Sequence, residues 1–279
     1  MRATAEADLI ARAQSGDRDA FAALYAPLER PLAAFLYRMT AARQDAEDLA
    51  QETALRAIEA IGEIDLETAA SFRVWIFRLA VDAAIGYLRG RAPWDPDAQI
   101  RAGYKAADNA ALRKRMKKLH QSGLHTTYDL REHVDFCLTV MGRTLPPQEA
   151  AALLVADAHG FTTEEAAQTM SVSPQVFEFR LQQARQTLVE HFDSRCGLIN
   201  KDGSCNQCAA LDALFYGDQR HTQEALFALD LEPQTTAAAR AATLVRRLAL
   251  ARSIDPLRAA GARLHDALMT FTREVNGYR

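Results

Sequence analysis

Four side chains suited to metal binding lie close together in the last third of the sequence. Their spacing is H-x4-C-x8-C-x2-C, and they are His191, Cys196, Cys205 and Cys208. Thiolate and imidazole ligands in this number suit tetrahedral zinc, and an iron–sulfur cluster is an alternative. The turn sequence N-K-D-G at residues 200–203 is expected to bring Cys196 back to the other two cysteines. A third interpretation is three reduced thiols near a surface loop.

A second constellation is a row of acidic side chains on a predicted helix at residues 45–60. This segment has no Pro or Gly and is rich in helix formers. Asp45 is expected to be its N-cap. A small-residue face is predicted at helical spacing: Ala46, Leu49, Ala50, Thr53 and Ala57. Spacings of i, i+3, i+7 and i+14 place four carboxylates on one face, with Gln51 beside them: Asp45, Asp48, Glu52 and Glu59. Such a face is either a solvated flank or a surface on which another protein docks.

Composition and motif content exclude several classes of protein. The chain has 279 residues, 49% hydrophobic and 25% charged, which suits two or three small domains. A net charge of −3 does not suit a general polyanion binder. No stretch approaches the ~18 apolar residues of a membrane helix and residues 1–10 lack an apolar signal core, so we expect a cytoplasmic protein without membrane contact. No phosphate loop, nucleophile elbow or H-E-x-x-H motif is present, so we do not expect an enzyme.

Apolar periodicity predicts an all-α protein. Two small helical domains, residues 1–92 and 130–192, are joined by a linker at residues 93–129. A cysteine-containing helical extension at residues 193–279 follows, with helices predicted at about 208–216, 222–229, 235–251 and 256–275. The linker is expected to be mostly irregular, with a short basic helix near residues 109–119.

The first domain is predicted to contain four helices, at residues 5–13, 19–39, 45–60 and 72–91. Pro27 and Pro31 are expected to bend or split the second helix. Ser71 or Thr68 is expected to cap the fourth. The fourth helix is predicted to carry an apolar stripe: Phe72, Trp75, Ile76, Leu79, Ala80, Ala83 and Tyr87. Core packing is the alternative to a functional role for Trp75 and Phe77.

Residues 145–192 have the pattern of a helix-turn-helix. A first helix at residues 145–158 is followed by a capping box, formed by Thr162 and Glu165, that begins a short second helix. Ser173 is expected to cap a longer third helix that ends near residue 191. A helix-turn-helix places this last helix in the major groove of DNA. Spacings of i, i+4, i+7 and i+11 predict its core face: Phe177, Leu181, Ala184 and Leu188. The residues predicted to face outward from it are Gln175, Glu178, Phe179, Gln182 and Arg185.

The acidic helix resembles a signature of one family. Its sequence D-A-E-D-L-A-Q-E-T-A-L-R-A is similar to the segment with which bacterial sigma factors hold RNA polymerase. The resemblance is to the extracytoplasmic-function type, also called group 4. It implies an all-α sigma factor that binds core RNA polymerase and promoter DNA, with a separate anti-sigma protein as a further candidate partner. It also implies that the polymerase is bound by Asp45, Asp48, Gln51 and Glu52.

Two other segments share this resemblance. The sequences S-F-R-V-W-I-F-R-L-A and Y-L-R are similar to the family's helix that binds the melted promoter strand. This implies that melted DNA is contacted by Arg73, Trp75, Arg78, Tyr87 and Arg89. The helix-turn-helix resembles the family domain that reads the upstream promoter element, and Arg180 and Arg185 match positions that touch DNA there.

The charge of the helix-turn-helix departs from the family pattern. Residues 145–192 contain two basic and six acidic side chains. Stable duplex complexes usually need about six to ten phosphate contacts, so we expect this domain to bind DNA weakly unless the polymerase tethers it. Glu178 remains able to accept a hydrogen bond from cytosine, and Gln175 or Gln182 to read adenine. The alternatives are a sigma-derived adaptor that reads promoters poorly and a helix-turn-helix transcriptional regulator. The extension is expected to be regulatory.

Overall fold

The computed structural model describes residues 2–64, 71–111, 130–196, 203–205, 251–259 and 262–278, with isolated positions at 114 and between 236 and 249. Within these parts of the chain the secondary structure is helical. The extended pairing among them is one isolated β-bridge, a backbone pairing of Cys196 with Cys205. The all-α prediction is therefore confirmed. None of the described helices is both long and apolar enough to cross a membrane.

Ten α-helices are named here in chain order: α1 Arg2–Gln14, α2 Arg18–Thr40, α3 Arg43–Ala60, α4 Phe72–Leu88, α5 Ala98–Asp108, α6 Leu130–Gly142, α7 Pro147–Leu153, α8 Thr163–Thr169, α9 Pro174–Arg195 and α10 Ala262–Asn276. They divide between two compact units. The first unit comprises Met1–Arg91 and Pro147–Leu181, and the second comprises Ala92–Pro146 and Gln182–Arg279. The predicted boundaries at residues 92, 129 and 192 remain predictions.

In the first unit, α2 is a continuous helix. Asp17 caps it through Oδ1, which accepts from the N–H groups of Asp19 at 3.0 Å and Ala20 at 3.1 Å. The helix is not split at Pro27 or Pro31. The half of α2 that follows Pro31 is buried almost throughout, and α2 packs against α1, α3 and α4. This packing supports the helix where the prolines remove backbone hydrogen bonds.

The start of α3 differs from the prediction. Asp45 is not the N-cap, because the helix begins at Arg43 with Ala42 at the cap position and without a side-chain cap bond. The physical reason lies upstream, where Thr40 Oγ1 accepts from the Ala42 N–H at 3.3 Å and turns the chain into the helix earlier. The predicted small-residue face is confirmed in most positions, since Ala46, Leu49, Thr53 and Ala57 are all buried.

Helix α4 is buried on more than the predicted stripe. Ser71 caps it by accepting from the Val74 N–H at 3.2 Å, as one of the two sequence alternatives had it. Residues outside the stripe are also buried, namely Val74, Phe77, Val81, Ala84 and Leu88. The cause is that α4 contacts α2 and α3 and also the helix-turn-helix elements α7 and α8.

The helix-turn-helix forms largely as predicted. The capping box is present, with the Thr162 N–H donating to Glu165 Oε2 at 2.9 Å and the Glu165 N–H to Thr162 Oγ1 at 3.2 Å. Ser171 occupies the turn with a φ of 53°, a left-handed conformation that is uncommon for a residue other than glycine. Ser173 caps α9 by accepting from the Val176 N–H at 3.3 Å.

One helix in this domain changes its type, and another ends later than predicted. The first predicted helix ends at Ala158 as expected, but it changes at Leu154 into a π-helical turn. Helix α9 continues to Arg195, beyond the predicted end near residue 191. Its predicted core positions Phe177, Leu181, Ala184 and Leu188 are buried.

In the second unit, the predicted irregular linker contains the eleven-residue helix α5. This helix packs against α10 and α6. Arg101 Nε donates to Asn276 Oδ1 at 2.8 Å, and Asn276 Nδ2 donates to the Ala98 carbonyl at 3.0 Å. Trp94 stacks on Tyr278 with ring centroids 4.6 Å apart. Most of the predicted basic helix near residues 109–119 and the predicted helices at 208–216 and 222–229 lie outside the described residues.

Candidate functional site

Helix α3 presents a mixed acidic and apolar surface, which we call the α3 face: Asp48, Gln51, Glu52, Leu55 and Ile58. Asp48 and Gln51 are exposed, and Glu52 is half-buried and pairs with Arg56 at 2.5 Å. Leu55 and Ile58 are each 54% exposed. Exposed apolar side chains within a polar border are typical of protein-binding surfaces. The sequence prediction missed Leu55 and Ile58, although both stand off the small-residue stripe that it had identified.

Asp45 has a different environment from the α3 face. Tyr87 Oη donates to Asp45 Oδ2 at 2.6 Å. The Arg91 guanidinium lies over the Tyr87 ring at 3.9 Å. Asp45 was predicted to bind the polymerase and Tyr87 to contact melted DNA. In the structure the two side chains bond to each other, and this hydrogen bond connects α3 to α4.

Arg73 lies between α4 and the helix-turn-helix. Its Nη2 donates to the His159 carbonyl at 2.5 Å, and its guanidinium lies 3.8 Å from the centroid of the Phe161 ring. Burial lowers the pKa of the Arg73 guanidinium, and the charge of Glu165 acts in the opposite direction. Next to it, Phe77 packs against Phe161 with ring centroids 5.0 Å apart. In this arrangement Arg73 contacts protein, and Phe77 is a core residue.

Other predicted DNA-binding residues of α4 border a cleft of about 590 Å³. Trp75 is half-buried and Arg78 is exposed at its wall. The remaining lining residues come from α3, α4, the turn after α3 and the helix-turn-helix: Ala60, Glu63, Ile64, Val74, Leu79, Asp82, Gln168 and Ser171. Arg89 is exposed just beyond the end of α4 and does not line this cleft. The cleft thus offers an aromatic ring, a cation and several hydrogen-bonding groups.

The start of α9 is exposed and uncharged for the most part. Phe179 is 63% exposed and Val176 is 42% exposed, with Gln175 and Glu178 exposed beside them. Val176 was not among the predicted residues. Further along the helix Gln182 is exposed and Arg185 is half-buried.

Arg180 is half-buried on the same helix. Burial raises the pKa of Glu149, and the nearby charge of Arg180 opposes that rise. One of the two cations of the helix-turn-helix therefore lies close to an acidic residue of its own domain. This reduces the positive field that duplex DNA would meet.

The predicted metal ligands are only partly brought together. Cys196 and Cys205 are paired through the backbone in the isolated β-bridge, in which the Cys205 N–H donates to the Arg195 carbonyl at 2.7 Å. His191 Nδ1 lies 3.0 Å from Thr144 Oγ1, and burial lowers the pKa of this imidazole. Among the described residues no group of three His, Cys, Asp or Glu side chains is arranged to hold a metal ion. Cys208 lies outside these residues, so the four-ligand set remains a prediction.

Comparison with known proteins defines the class. Residues 24–93 match Sigma-70 region 2, and residues 136–188 match Sigma-70, region 4. These two matches include α3, α4 and most of the helix-turn-helix. Both matched parts of the chain are therefore similar to regions of sigma-70 type initiation factors.

Curated relatives narrow the class. The RNA polymerase sigma-H factor of Pseudomonas aeruginosa is 26% identical over 182 residues, which cover 64% of this chain and 90% of that protein. The ECF RNA polymerase sigma factor SigG of Mycobacterium tuberculosis is 29% identical over 61% of this chain and 48% of its own length. The ECF RNA polymerase sigma-E factor of Haemophilus influenzae is 25% identical over 64% of this chain and 91% of its own length. Both matched regions and these relatives support an extracytoplasmic-function type of sigma factor, a family that acts in promoter recognition and transcription initiation.

Proposed function

We propose that this chain binds core RNA polymerase through the α3 face and directs it to promoters. The observation that carries the proposal is the exposure of Leu55 and Ile58 beside Asp48 and Gln51 in a chain of this family. A helix that buries its small residues and leaves two large aliphatic side chains in solvent gains free energy when a partner covers them. The acidic border favours a partner with basic residues.

Melted promoter DNA is the second ligand in this proposal. An unpaired base can stack on Trp75 at the cleft, and Arg78 can contact a neighbouring phosphate. Arg73 is engaged with the helix-turn-helix at His159 and Phe161. If Arg73 also contacts the melted strand, the helix-turn-helix must first leave α4. DNA capture is then coupled to the opening of the first unit.

Upstream duplex DNA is the third ligand, and α9 is its reader. Gln175 can pair with adenine, Glu178 can accept from the amino group of cytosine, and Phe179 can contact a thymine methyl group. The two cations of residues 145–192 supply few phosphate contacts. A chain anchored to polymerase raises the local concentration of α9 at the promoter, which compensates for weak intrinsic affinity.

The extension is proposed to regulate the linker. Asn276 bonds to Ala98 and Arg101, and Tyr278 Oη accepts from the Asp95 N–H at 2.8 Å. These contacts hold the first turn of α5 and the chain before it. Removal of residues 262–279 is expected to change initiation activity without changing the α3 face. Zinc binding by the cysteine set is a separate proposal, which metal analysis of protein purified without oxygen would test.

A separate anti-sigma protein would act most directly on the α3 face. That face is accessible in the first unit and would be shared with the polymerase. Competition between an anti-sigma protein and the polymerase for Leu55 and Ile58 is the expected form of such inhibition.

The test has two stages. The full chain is first mixed with core polymerase and co-purified, and association is expected. The reconstituted enzyme is then used for run-off transcription on genomic DNA of the source organism, where specific start sites are expected. Absence of association would contradict the proposal.

The second candidate, a sigma-derived adaptor, is favoured by the acidic helix-turn-helix and by the opposing charge of Glu149 near Arg180. It predicts association with polymerase without specific start sites. A conventional helix-turn-helix regulator predicts duplex binding without polymerase association. The two stages therefore separate all three functions.

A further inference from the structure

We propose that Cys196 and Cys205 form a reversible disulfide, which makes the junction between α9 and the extension an oxidation site. The proposal does not depend on the function of the chain in transcription. It rests on the β-bridge that pairs the backbones of these two residues, although eight other residues separate them in sequence.

The backbone geometry of the pair is suited to a disulfide. Residues paired across neighbouring extended segments lie about 4.8 Å apart. Disulfides join residues whose Cα atoms are about 4.4–6.8 Å apart. Paired residues also direct their side chains to the same face. The hydrogen bond from the Cys205 N–H to the Arg195 carbonyl, at 2.7 Å, fixes this register.

The surroundings allow an oxidant to reach the pair. Cys196 and Cys205 are both half-buried, and the nearby Ser194 and Ser204 are exposed. Among the described residues the third cysteine, Cys137, lies on α6 and belongs to neither the bridge nor its loop. The bridge therefore selects two thiols of the chain.

The reaction balances with a peroxide as the oxidant. The thiolate of either cysteine attacks a peroxide oxygen, forming a sulfenic acid and releasing water when the oxidant is hydrogen peroxide. The second thiolate then attacks the sulfenic sulfur, the S–S bond forms, and a second water leaves. In total two thiols lose two electrons and two protons. A dithiol reductant reverses the step.

The location suggests what the bond would hold. Arg195, whose carbonyl accepts from Cys205, also donates from Nε to Asp97 Oδ1 at 2.5 Å. Asp97 immediately precedes α5. A disulfide would therefore hold the start of the extension beside the ion pair of Arg195 and Asp97, which links the end of α9 to the linker.

Peptide mapping tests the proposal directly. Trypsin cuts after Arg195 and Lys201, so Cys196 falls on peptide 196–201, and Cys205 and Cys208 fall together on peptide 202–220. The full-length protein is oxidised with hydrogen peroxide in native buffer and digested without reductant. The two free peptides are expected to be replaced by one linked species, which dithiothreitol returns to the two free peptides.

Variants identify the partner of Cys196. In Cys208→Ser the linked species is expected at wild-type yield, and in Cys205→Ser it is expected to be lost. Cys137→Ser is the control for an unrelated thiol and is expected to leave the link unchanged. Oxidation in urea should give a mixture of pairings, because the bridge that selects Cys205 is then absent.

Three results would overturn the proposal. They are a disulfide within peptide 202–220, a link that persists in Cys205→Ser but disappears in Cys208→Ser, and thiols that stay reduced or oxidise singly under peroxide. The Cys208→Ser variant and the wild-type map keep the test decisive even if Cys205→Ser fails to fold.

Discussion

Helices α3 and α9 each expose a pair of apolar side chains within the first unit, and the surroundings of the two pairs differ. Leu55 and Ile58 on α3 are each 54% exposed beside carboxylates. Val176 and Phe179 on α9 are 42% and 63% exposed beside Gln175 and Glu178. Both helices bury the opposite side firmly, since Ala57 on α3 and Phe177 on α9 are fully inaccessible. The exposed pairs are therefore features of well-packed helices.

The difference indicates two kinds of ligand. The α3 face combines aliphatic area with negative charge, which suits a basic protein surface and repels DNA. The α9 surface combines amide groups with a flat aromatic ring, which suits the edges of bases in the major groove. Helix α4 is a contrast to both, because its Arg73 is already in contact with the helix-turn-helix.

The largest effect is expected from Leu55→Gln combined with Ile58→Gln. Glutamine keeps the helix propensity of α3 and removes the aliphatic area that a partner would cover. Affinity for core polymerase is expected to fall about a hundredfold, or roughly 2.7 kcal/mol. Equilibrium binding of labelled protein to core enzyme measures this change. An unchanged affinity would remove Leu55 and Ile58 from the proposed interface.

The matched variant on α9, Val176→Gln with Phe179→Gln, is expected to act on a different step. Association with core polymerase should stay within twofold or so, because α9 does not belong to the α3 face. Promoter-specific initiation should fall about thirtyfold, or roughly 2 kcal/mol, as thymine contacts are lost. Run-off transcription at equal saturation of core enzyme measures it. If this variant loses polymerase binding as well, the two surfaces are not distinct.

A promoter probe containing uracil in place of thymine sharpens that prediction. Uracil lacks the methyl group that Phe179 is proposed to contact. Promoter-specific initiation by the wild-type chain should be weaker on the uracil probe than on the thymine probe. Initiation by the α9 variant should be the same on both probes. Equal weakening of both would place the methyl contact elsewhere.

Arg73→Ala is expected to destabilise the folded chain by about 1.5 kcal/mol, since a hydrogen bond and a cation–π contact are lost together. The matched control is Arg78→Ala on the same helix, whose side chain is exposed at the cleft. The free energy of unfolding of that control should stay within about 0.5 kcal/mol of the wild-type value. Urea unfolding of both variants makes the comparison. Equal stability of the two would mean that the contact of Arg73 with His159 contributes nothing to the fold.

The smallest effect is expected from Tyr87→Phe. It removes the hydroxyl that donates to Asp45 and should cost about 1 kcal/mol of stability. Promoter opening should change no more than this loss of stability explains. A large loss of opening in a variant of normal stability would assign Tyr87 to DNA instead. Permanganate footprinting of the open complex, together with urea unfolding, distinguishes these results.

Local sequence pattern was sufficient to predict those features that depend on a single helix. The buried face of α3 follows from small residues at helical spacing, and the capping box at Thr162 and Glu165 follows from its own four residues. The outward position of Phe179 follows from the buried positions of its helix.

Long-range contacts explain what the sequence could not predict. Arg73 meets His159 across 86 residues, and no local pattern distinguishes such a contact from an exposed cation. Helix α5 was taken for irregular linker because prolines and glycine lie near it, yet Arg101 is held by Asn276, 175 residues away. The exposure of Leu55 and Ile58 likewise depends on which neighbouring helices cover α3.

The central claim is that the acidic α3 face docks on RNA polymerase, and charge reversal tests it most directly. Asp48→Lys with Glu52→Lys is compared with Asp8→Lys and Glu29→Lys, which change the net charge equally on α1 and α2. Co-purification with core polymerase is expected to be lost in the first variant and kept in the second, with both variants folded by circular dichroism. Retention of polymerase by the Asp48 and Glu52 variant at the level of its control would contradict the account.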